Sequence, residues 1–305
     1  VRVLIVGAGA TGGYFGGRLI EAGRDATFLV RPRRANELAK DGLRIRSRLG
    51  DVSISNPPVV VAENLNRRFD LVLLSCKAYD LDDAVKSFSP AVGPDTAILP
   101  ILNGMRHLDT LDQAFGKDRV LGGQCVIAAT LDKNREIVHL NDAHTLGFGE
   151  RSGKISERVA AVAEFMKPAR FDSQSSATIV LDMWEKWVFL ATLAGCTCLM
   201  RASIGEIAAS PGGSEFALAL LDEVRSVAKA WGCEPRPSSL ERARKMITAA
   251  GSSFTASMLR DIENDSPVEA DHIIGDLLQR GSALDLPLLK IVYAHLKSYE
   301  ARHRR

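Results

Sequence analysis

Through the first half of the chain, short apolar runs rich in β-branched residues alternate with amphipathic segments of helical period. Residues 1–6, 25–30, 70–75 and 96–102 have the strand pattern, and residues 11–22, 34–40, 81–88 and 108–115 the helical one. Alternation of this kind predicts right-handed crossovers that build a parallel sheet with helices on both faces. Between 42 and 61 the pattern shortens around Pro57 and Pro58, which predicts an inserted pair of strands. Further β-type segments over 120–148 are expected to finish the same sheet, and a helix is expected over 157–166. The polar stretch 172–176 reads as a linker, because strand signals stop there and all that follows has helical period. The helices expected beyond it cover 177–200, 214–231, 238–249, the run around 257–262, 267–280 and 286–302. The chain is therefore read as an α/β domain over 1–172 and an all-helical domain over 173–305.

Composition narrows the function classes. With 305 residues, 46% hydrophobic and 25% charged, the chain is an ordinary globular one with room for about two domains. A formal charge of +2, without a basic run interleaved with aromatics, gives no support to a nucleic-acid partner. The basic ending over 302–305 reads as a solvated tail. Five cysteines, odd in number and scattered through apolar stretches, read as reduced thiols and a cytoplasmic setting. The opening run has no secretory-leader pattern, so secretion is not expected. The uncharged apolar stretch 187–200 is 14 residues, short of the roughly 20 that a membrane span needs, and is expected to be a core helix.

The strand at 1–6 runs into Gly7-Ala8-Gly9-Ala10-Thr11-Gly12 and then a helix, the spacing and setting of a dinucleotide-binding turn. Gly7 permits the tight turn, Gly9 lets backbone approach a pyrophosphate, and Gly12 lets the helix pack closely on the strand. The amides at the helix start then face the phosphates. At the end of the second strand an NAD site usually offers an acid to the ribose 2′-hydroxyl, whereas this chain has Val30-Arg31-Pro32-Arg33-Arg34. A guanidinium suits a 2′-phosphate, so NADP(H) is the expected cofactor and Arg31 its phosphate ligand, with Arg33 and Arg34 read as exposed residues opening a surface helix. Two more loops fall at carboxyl ends of strands, Cys76-Lys77-Ala78-Tyr79 and Asn103-Gly104-Met105. Lys77 is expected to neutralise a cofactor phosphate and Asn103 to bond a nicotinamide amide or a substrate carboxylate; simple turn residues are the alternative for both.

These landmarks resemble the ketopantoate reductase (2-dehydropantoate 2-reductase) family: GAGATGG, the arginine after the second strand, SerCysLysAlaTyr, LeuAsnGlyMet, TrpGluLysTrp, SerMetLeuArgAsp and ValGluAlaAspHisIle, in order over nearly the whole chain. The resemblance implies an N-terminal Rossmann-type doubly wound sheet joined to a C-terminal helical domain, substrate in the cleft between them, and NADPH reducing a 2-oxo acid. In the family that step takes ketopantoate to pantoate, toward pantothenate and coenzyme A. By position Lys186 matches the catalytic lysine, and an ammonium there stabilises the charge that grows on a ketone oxygen and then protonates it. Glu269 matches a carboxylate near that lysine that bonds a substrate hydroxyl, Ser257 a serine that binds the substrate carboxylate, and Asn103 an asparagine shared by cofactor and substrate.

The chain also departs from the family. Asparagines expected four and eight residues beyond the lysine, and one near the following loop, are replaced by Leu190, Ala194 and Ile204. Loss of three amides argues for a more apolar 2-oxo acid or for weak activity. Two rivals stand beside that reading: another lysine-dependent reductase on the same plan, such as a β-hydroxyacid dehydrogenase relative, and a non-catalytic NADP(H)-binding redox sensor. No metal is implied, because Cys196 and Cys198 diverge on a helix and no further ligands stand at metal spacing, so core thiols are expected. His139 and His144 are read as surface residues beside a polar turn, and Thr192 and Thr197 as bonding carbonyls within their own helix. The apolar faces of the helical half leave a homodimer open.

Overall fold

In the computed structural model, which describes residues 1–303, Arg304 and Arg305 of the basic ending lie outside the described part. The chain enters as strand β1 (Val3–Val6), every residue of which is buried, and passes through the glycine turn into helix α1 (Ala10–Glu21). Strand β2 (Ala26–Leu29) and helix α2 (Pro32–Asp41) follow. A short excursion makes β3 (Leu43–Arg46), β4 (Val52–Ile54) and β5 (Val59–Val60) before β6 (Phe69–Leu74), α3 (Leu81–Phe88), β7 (Val92–Pro100) and α4 (Arg106–Phe115). Strands β8 (Gly122–Leu131) and β9 (Ile137–Gly149), helix α5 (Glu157–Met166) and strand β10 (Asp172–Ser175) complete this part. Two compact units result: Val1–Leu102 with His107–Ile179 form the first, and Asn103–Arg106 with the chain from Val180 onward form the second.

In the first unit β5-β2-β1-β6-β7 form a wholly parallel sheet, the doubly wound Rossmann-type order in which the strand sequence reverses between β1 and β6. Val3, Leu4 and Ile5 are completely buried, worth about 1.5–3 kcal/mol each by transfer from water. The β segments over 120–148 do not finish this sheet, which corrects the expectation. The chain pairs with β7 in one isolated bridge, Ile98 to Val120, where the Leu121 amide bonds the Ile98 carbonyl at 2.9 Å. It then turns away as the antiparallel hairpin β8–β9. β9 also pairs in parallel with β3, and β3 pairs antiparallel with β4, so the inserted pair joins this second sheet. Helix α1 lies between the two sheets. Its Gly16 abuts Ile5 and Phe28 of the first, and its Gly17 abuts Leu43 and Ile45 of the second, at distances that leave no space for a side chain. Residues 172–176 are likewise not a linker throughout: β10 pairs in parallel with Thr145–Phe148 of β9. Its side chains are mostly exposed, so the pairing rests on backbone bonds and leaves no apolar alternation in the sequence.

The second unit is helical. Helix α6 (Ile179–Met200) is followed by α7 (Ile204–Ala209), α8 (Gly213–Ala230), α9 (Pro237–Ile247) and α10 (Ser257–Glu263). A π-helical turn at Asp271–Gly275 leads into α11 (Asp276–Arg280), and α12 (Pro287–His303) closes the described chain. Buried Leu220, Val224 and Val227 of α8 and Leu289, Val292 and Leu296 of α12 build the core. Gly195 of α6 meets Leu220 and Val292 there. Glu223 of α8 accepts the backbone amides of Leu288 and Leu289 at 2.9 Å each, capping the start of α12. Helix α7 stands outside the expected set, although Ser203 and Glu206 form a capping box at its start, a signal the sequence carries. The apolar stretch 187–200 is buried in α6 apart from half-buried Phe189 and Leu190 and its last two residues, and no helix among the described residues is long and apolar enough to cross a membrane.

Candidate active site

The candidate residues of the first unit gather at the carboxyl ends of β1, β2 and β6, the edge where open α/β sheets take ligands. Gly7 has φ +98°, and its amide bonds the Leu29 carbonyl at 3.0 Å, so the turn is locked to β2. A Cβ on Gly12 would stand 2.4 Å from the Gly7 carbonyl oxygen, which makes glycine obligatory there. Gly9 is different. Its position is exposed, and a Cβ would meet no heavy atom within 4 Å. Gly9 caps α1 without a side-chain bond, and no acid stands in the first turn, so the amides of Ala10, Thr11 and Gly12 start the helix with its positive end undiminished. Open space before bare helix amides fits a pyrophosphate.

Arg31 is the N-cap residue of α2, and its guanidinium donates to Asp80 Oδ1 at 2.6 Å; that hydrogen bond, with the acid's charge, raises the Arg31 pKa. Arg33 is exposed and pairs with Glu37, as expected. Arg34 corrects the reading of a surface residue: its side chain is only 11% exposed, and its Nε donates to the Ala8 carbonyl of the glycine turn. Burial lowers its pKa, opposed by the Glu37 bond. The turn thus has a basic wall that spacing did not reveal. Cys76 and Lys77 are half-buried in the loop after β6. Just before them the Ser75 hydroxyl donates to the Val6 carbonyl at 2.9 Å and ties that loop to the turn. Sequence reasoning placed Ser75 in a motif without giving it this task.

The other candidate residues, Asn103, Lys186, Ser257 and Glu269, all belong to the second unit. Lys186 is half-buried on α6, beside buried Trp184 and Trp187. The Trp187 indole donates to the Ile273 carbonyl at 3.0 Å, and the Ile273 amide bonds the Glu269 carbonyl at 2.9 Å. The turn that carries Glu269 is therefore fixed to α6 one residue from Lys186. Buried His272, on the same turn, hydrogen-bonds the Asn103 backbone. It also packs so closely on Gly104 (φ +77°) that a Cβ there would lie 3.0 Å from its ring. Burial pushes the His272 pKa down to about 4, so the ring is neutral near pH 7. Ser257 is exposed at the start of α10, whose preceding amide, that of Ala256, bonds the Thr197 hydroxyl of α6 at 3.3 Å. Arg236 clamps the opposite end of α6 through its guanidinium and backbone amide on Glu185, at 2.8 and 2.7 Å.

Of the apolar replacements, Ile204 and Ala194 are buried, and Leu190 is half-exposed. Leu190 and Phe189 follow Lys186 by four and three residues, on one helix face. Phe189 stacks on Phe254 at 6.1 Å between ring centroids. Thr192 and Thr197 bond the Val188 and Leu193 carbonyls at 2.8 Å, as expected. Cys196 and Cys198 are buried thiols whose pKa burial raises to about 12. His139 and His144 are not surface residues: His139 is buried, His144 half-buried, and the two rings stack beside Tyr14, whose hydroxyl bonds His144 at 2.8 Å. The polar turn signal missed them because α1 covers that strand.

A reversing parallel sheet with a bare glycine turn at its carboxyl edge marks a dinucleotide-binding protein. Family comparison is specific. The model described as "Ketopantoate reductase PanE/ApbA" matches residues 3–153, and its C-terminal companion matches 178–300. The chain belongs to the ketopantoate reductase family, NADP-dependent oxidoreductases that act on a keto or hydroxyl group. It is 39% identical over 303 residues to "Uncharacterized oxidoreductase YkpB" of Bacillus subtilis (strain 168), covering 99% of each chain. It is 30% identical to the 2-dehydropantoate 2-reductase of Archaeoglobus fulgidus, over 92% of this chain and 90% of that protein. The crystal structure of 2-dehydropantoate 2-reductase from Geobacter metallireducens GS-15 superposes with a TM-score of 0.89 at 26% identity, covering 98% of this chain and 99% of that one.

Proposed function

We propose that this protein reduces a 2-oxo acid to the 2-hydroxy acid with NADPH, with Lys186 as general acid, and that it prefers an apolar substituent on the oxo acid to that of ketopantoate. Bound NADPH supplies the hydride to the carbonyl carbon. The Lys186 ammonium stabilises the negative charge growing on the carbonyl oxygen and then gives that oxygen its proton. Ser257 receives the substrate carboxylate at the start of α10. Glu269 stands on the turn bolted to α6, and Asn103 is held by His272. Gly7, Ala8, Gly9, Ala10, Thr11 and Gly12 cradle the pyrophosphate, Lys77 adds positive charge beside it, and Arg31 takes the 2′-phosphate.

The observation that carries this reading is the Trp187–Ile273 bond, which supports an acid–base pair on two joined elements. Substrate preference rests on a second observation. The face that bears Lys186 continues as Phe189 and half-exposed Leu190, and Phe254, three residues before Ser257, stacks on Phe189. An apolar wall without amides leaves a hydroxylated side chain fewer partners, Glu269 alone among the residues named here, and so weakens the case for it. NADPH oxidation measured against ketopantoate and branched, straight and aromatic 2-oxo acids tests both parts. Higher kcat/KM for the apolar acids is expected. A strong preference for ketopantoate overturns the apolar wall, and no oxidation with any oxo acid overturns the reductase.

A further inference from the structure

Asp80 has a position but no structural task in its own helix. It is the N-cap residue of α3, yet its carboxylate makes no capping bond to that helix. It reaches instead across the sheet edge to Arg31, 2.6 Å away, so an ion pair joins the loop after β6 to the end of β2. The other arginines there are engaged elsewhere. Arg34 is turned inward onto the Ala8 carbonyl and Glu37, and Arg33 and Arg135 also bond Glu37. Arg31, with 69% of its side chain exposed, is the guanidinium that follows β2 and opens α2, and Asp80 already holds it. Asp83 adds further negative charge toward it.

We propose that Asp80 is a specificity-determining residue for the cofactor, competing with the ribose 2′-phosphate for Arg31 and so limiting the preference for NADPH over NADH. The proposal rests on the reading of the end of β2 as the 2′-phosphate seat. A phosphate dianion that approaches Arg31 must displace the carboxylate or lie against it, and either arrangement costs binding energy. A 2′-hydroxyl meets no such cost, because it can donate to the same carboxylate. Asp80 therefore penalises one cofactor and not the other.

Fluorescence titration of NADPH and NADH against the wild type, Asp80→Asn and Arg31→Ala tests this. Asn removes the charge, keeps the size and is a favoured N-cap residue; Asp80→Ser, also a favoured cap, serves if the first variant does not fold. With either variant, NADPH should bind about fivefold more tightly and NADH no more tightly than before. NADPH binding that is unchanged or weaker in the folded variant overturns the proposal, and weaker binding would mean that Asp80 orients Arg31 for the phosphate. Arg31→Ala reports on the seat itself. Loss of the difference between the two cofactors is expected, and a preference for NADPH that survives it overturns the seat, whatever the Asp80 variants show.

Discussion

The cofactor edge of the first unit and the residue cluster of the second are built from different materials. The first is mostly backbone: a glycine turn, bare amides at a helix start and carbonyls that hold Arg34 and Ser75 in place. It comes largely from one continuous segment, Gly7–Gly12, and tolerates no side chain at Gly12. The candidate residues of the second come from four separated segments, and bonds such as Trp187 to the Ile273 carbonyl and His272 to the Asn103 backbone tie three of those segments in place. Backbone amides of this kind suit a ligand part recognised by its negative charge. Side chains, unlike backbone, can change one residue at a time without moving their neighbours.

The largest effect expected is on the side-chain half alone. Lys186→Ala should lower kcat by about 10²–10⁴-fold, the range for loss of a general acid, while NADPH titration gives an unchanged Kd. A wild type with no turnover to lose, but with tight NADPH binding, would make the chain a sensor and erase the functional side of the comparison. Next come two glycines of the turn. Gly12→Ala forces a Cβ against the Gly7 carbonyl and should cost about 1–3 kcal/mol in urea melts. Gly9→Ala, with nothing within 4 Å, should melt like the wild type yet bind NADPH more weakly, because the new methyl fills the ligand's space. Equal melts for the two variants would contradict the backbone account.

The buried imidazole of the second unit gives a smaller and pH-dependent effect. The folded pKa of His272 lies below its unfolded value, so the folded state binds fewer protons, and the associated stability is present above about pH 6.5 and lost as pH falls toward 4. Between pH 7 and pH 5 this group should cost the wild type about 2 kcal/mol, a loss absent from His272→Gln. His144 and His295 are also lowered by burial, so only the difference between wild type and variant isolates His272. Parallel pH curves for the two proteins would remove His272 from the account. The smallest effect is Trp187→Phe, which keeps the ring in the core but deletes the bond to Ile273 and should cost about 1 kcal/mol. A fall in kcat larger than the fall in substrate affinity would show that the bond positions Glu269 and Lys186 rather than only stabilising the helix pair.

Local pattern was enough for the elements that satisfy themselves locally. The helices over 81–88 and 157–166 stand where periodicity put them, and the two threonines of α6 bond back along their own helix. The glycine turn was legible because its requirements, a positive φ and a close approach, are imposed by neighbours a few residues away. Partners far along the chain decided the rest. β10 has mostly exposed side chains and exists because β9 offers it a backbone edge. The hairpin β8–β9 left the first sheet for β3, since alternation fixes which residues face inward but not which strand lies alongside. Arg34, His139 and Asp80 took their roles from what packs over them: a carbonyl of the glycine turn, a tyrosine of α1 and a guanidinium 49 positions away in sequence. Sequence by itself determined the parallel sheet, the helical second half and the dinucleotide turn, because those follow from spacing along one strand or helix. Only the tertiary structure chose the second sheet, the basic wall and the company of Lys186, because burial and charge pairing depend on residues that meet only after the chain has folded.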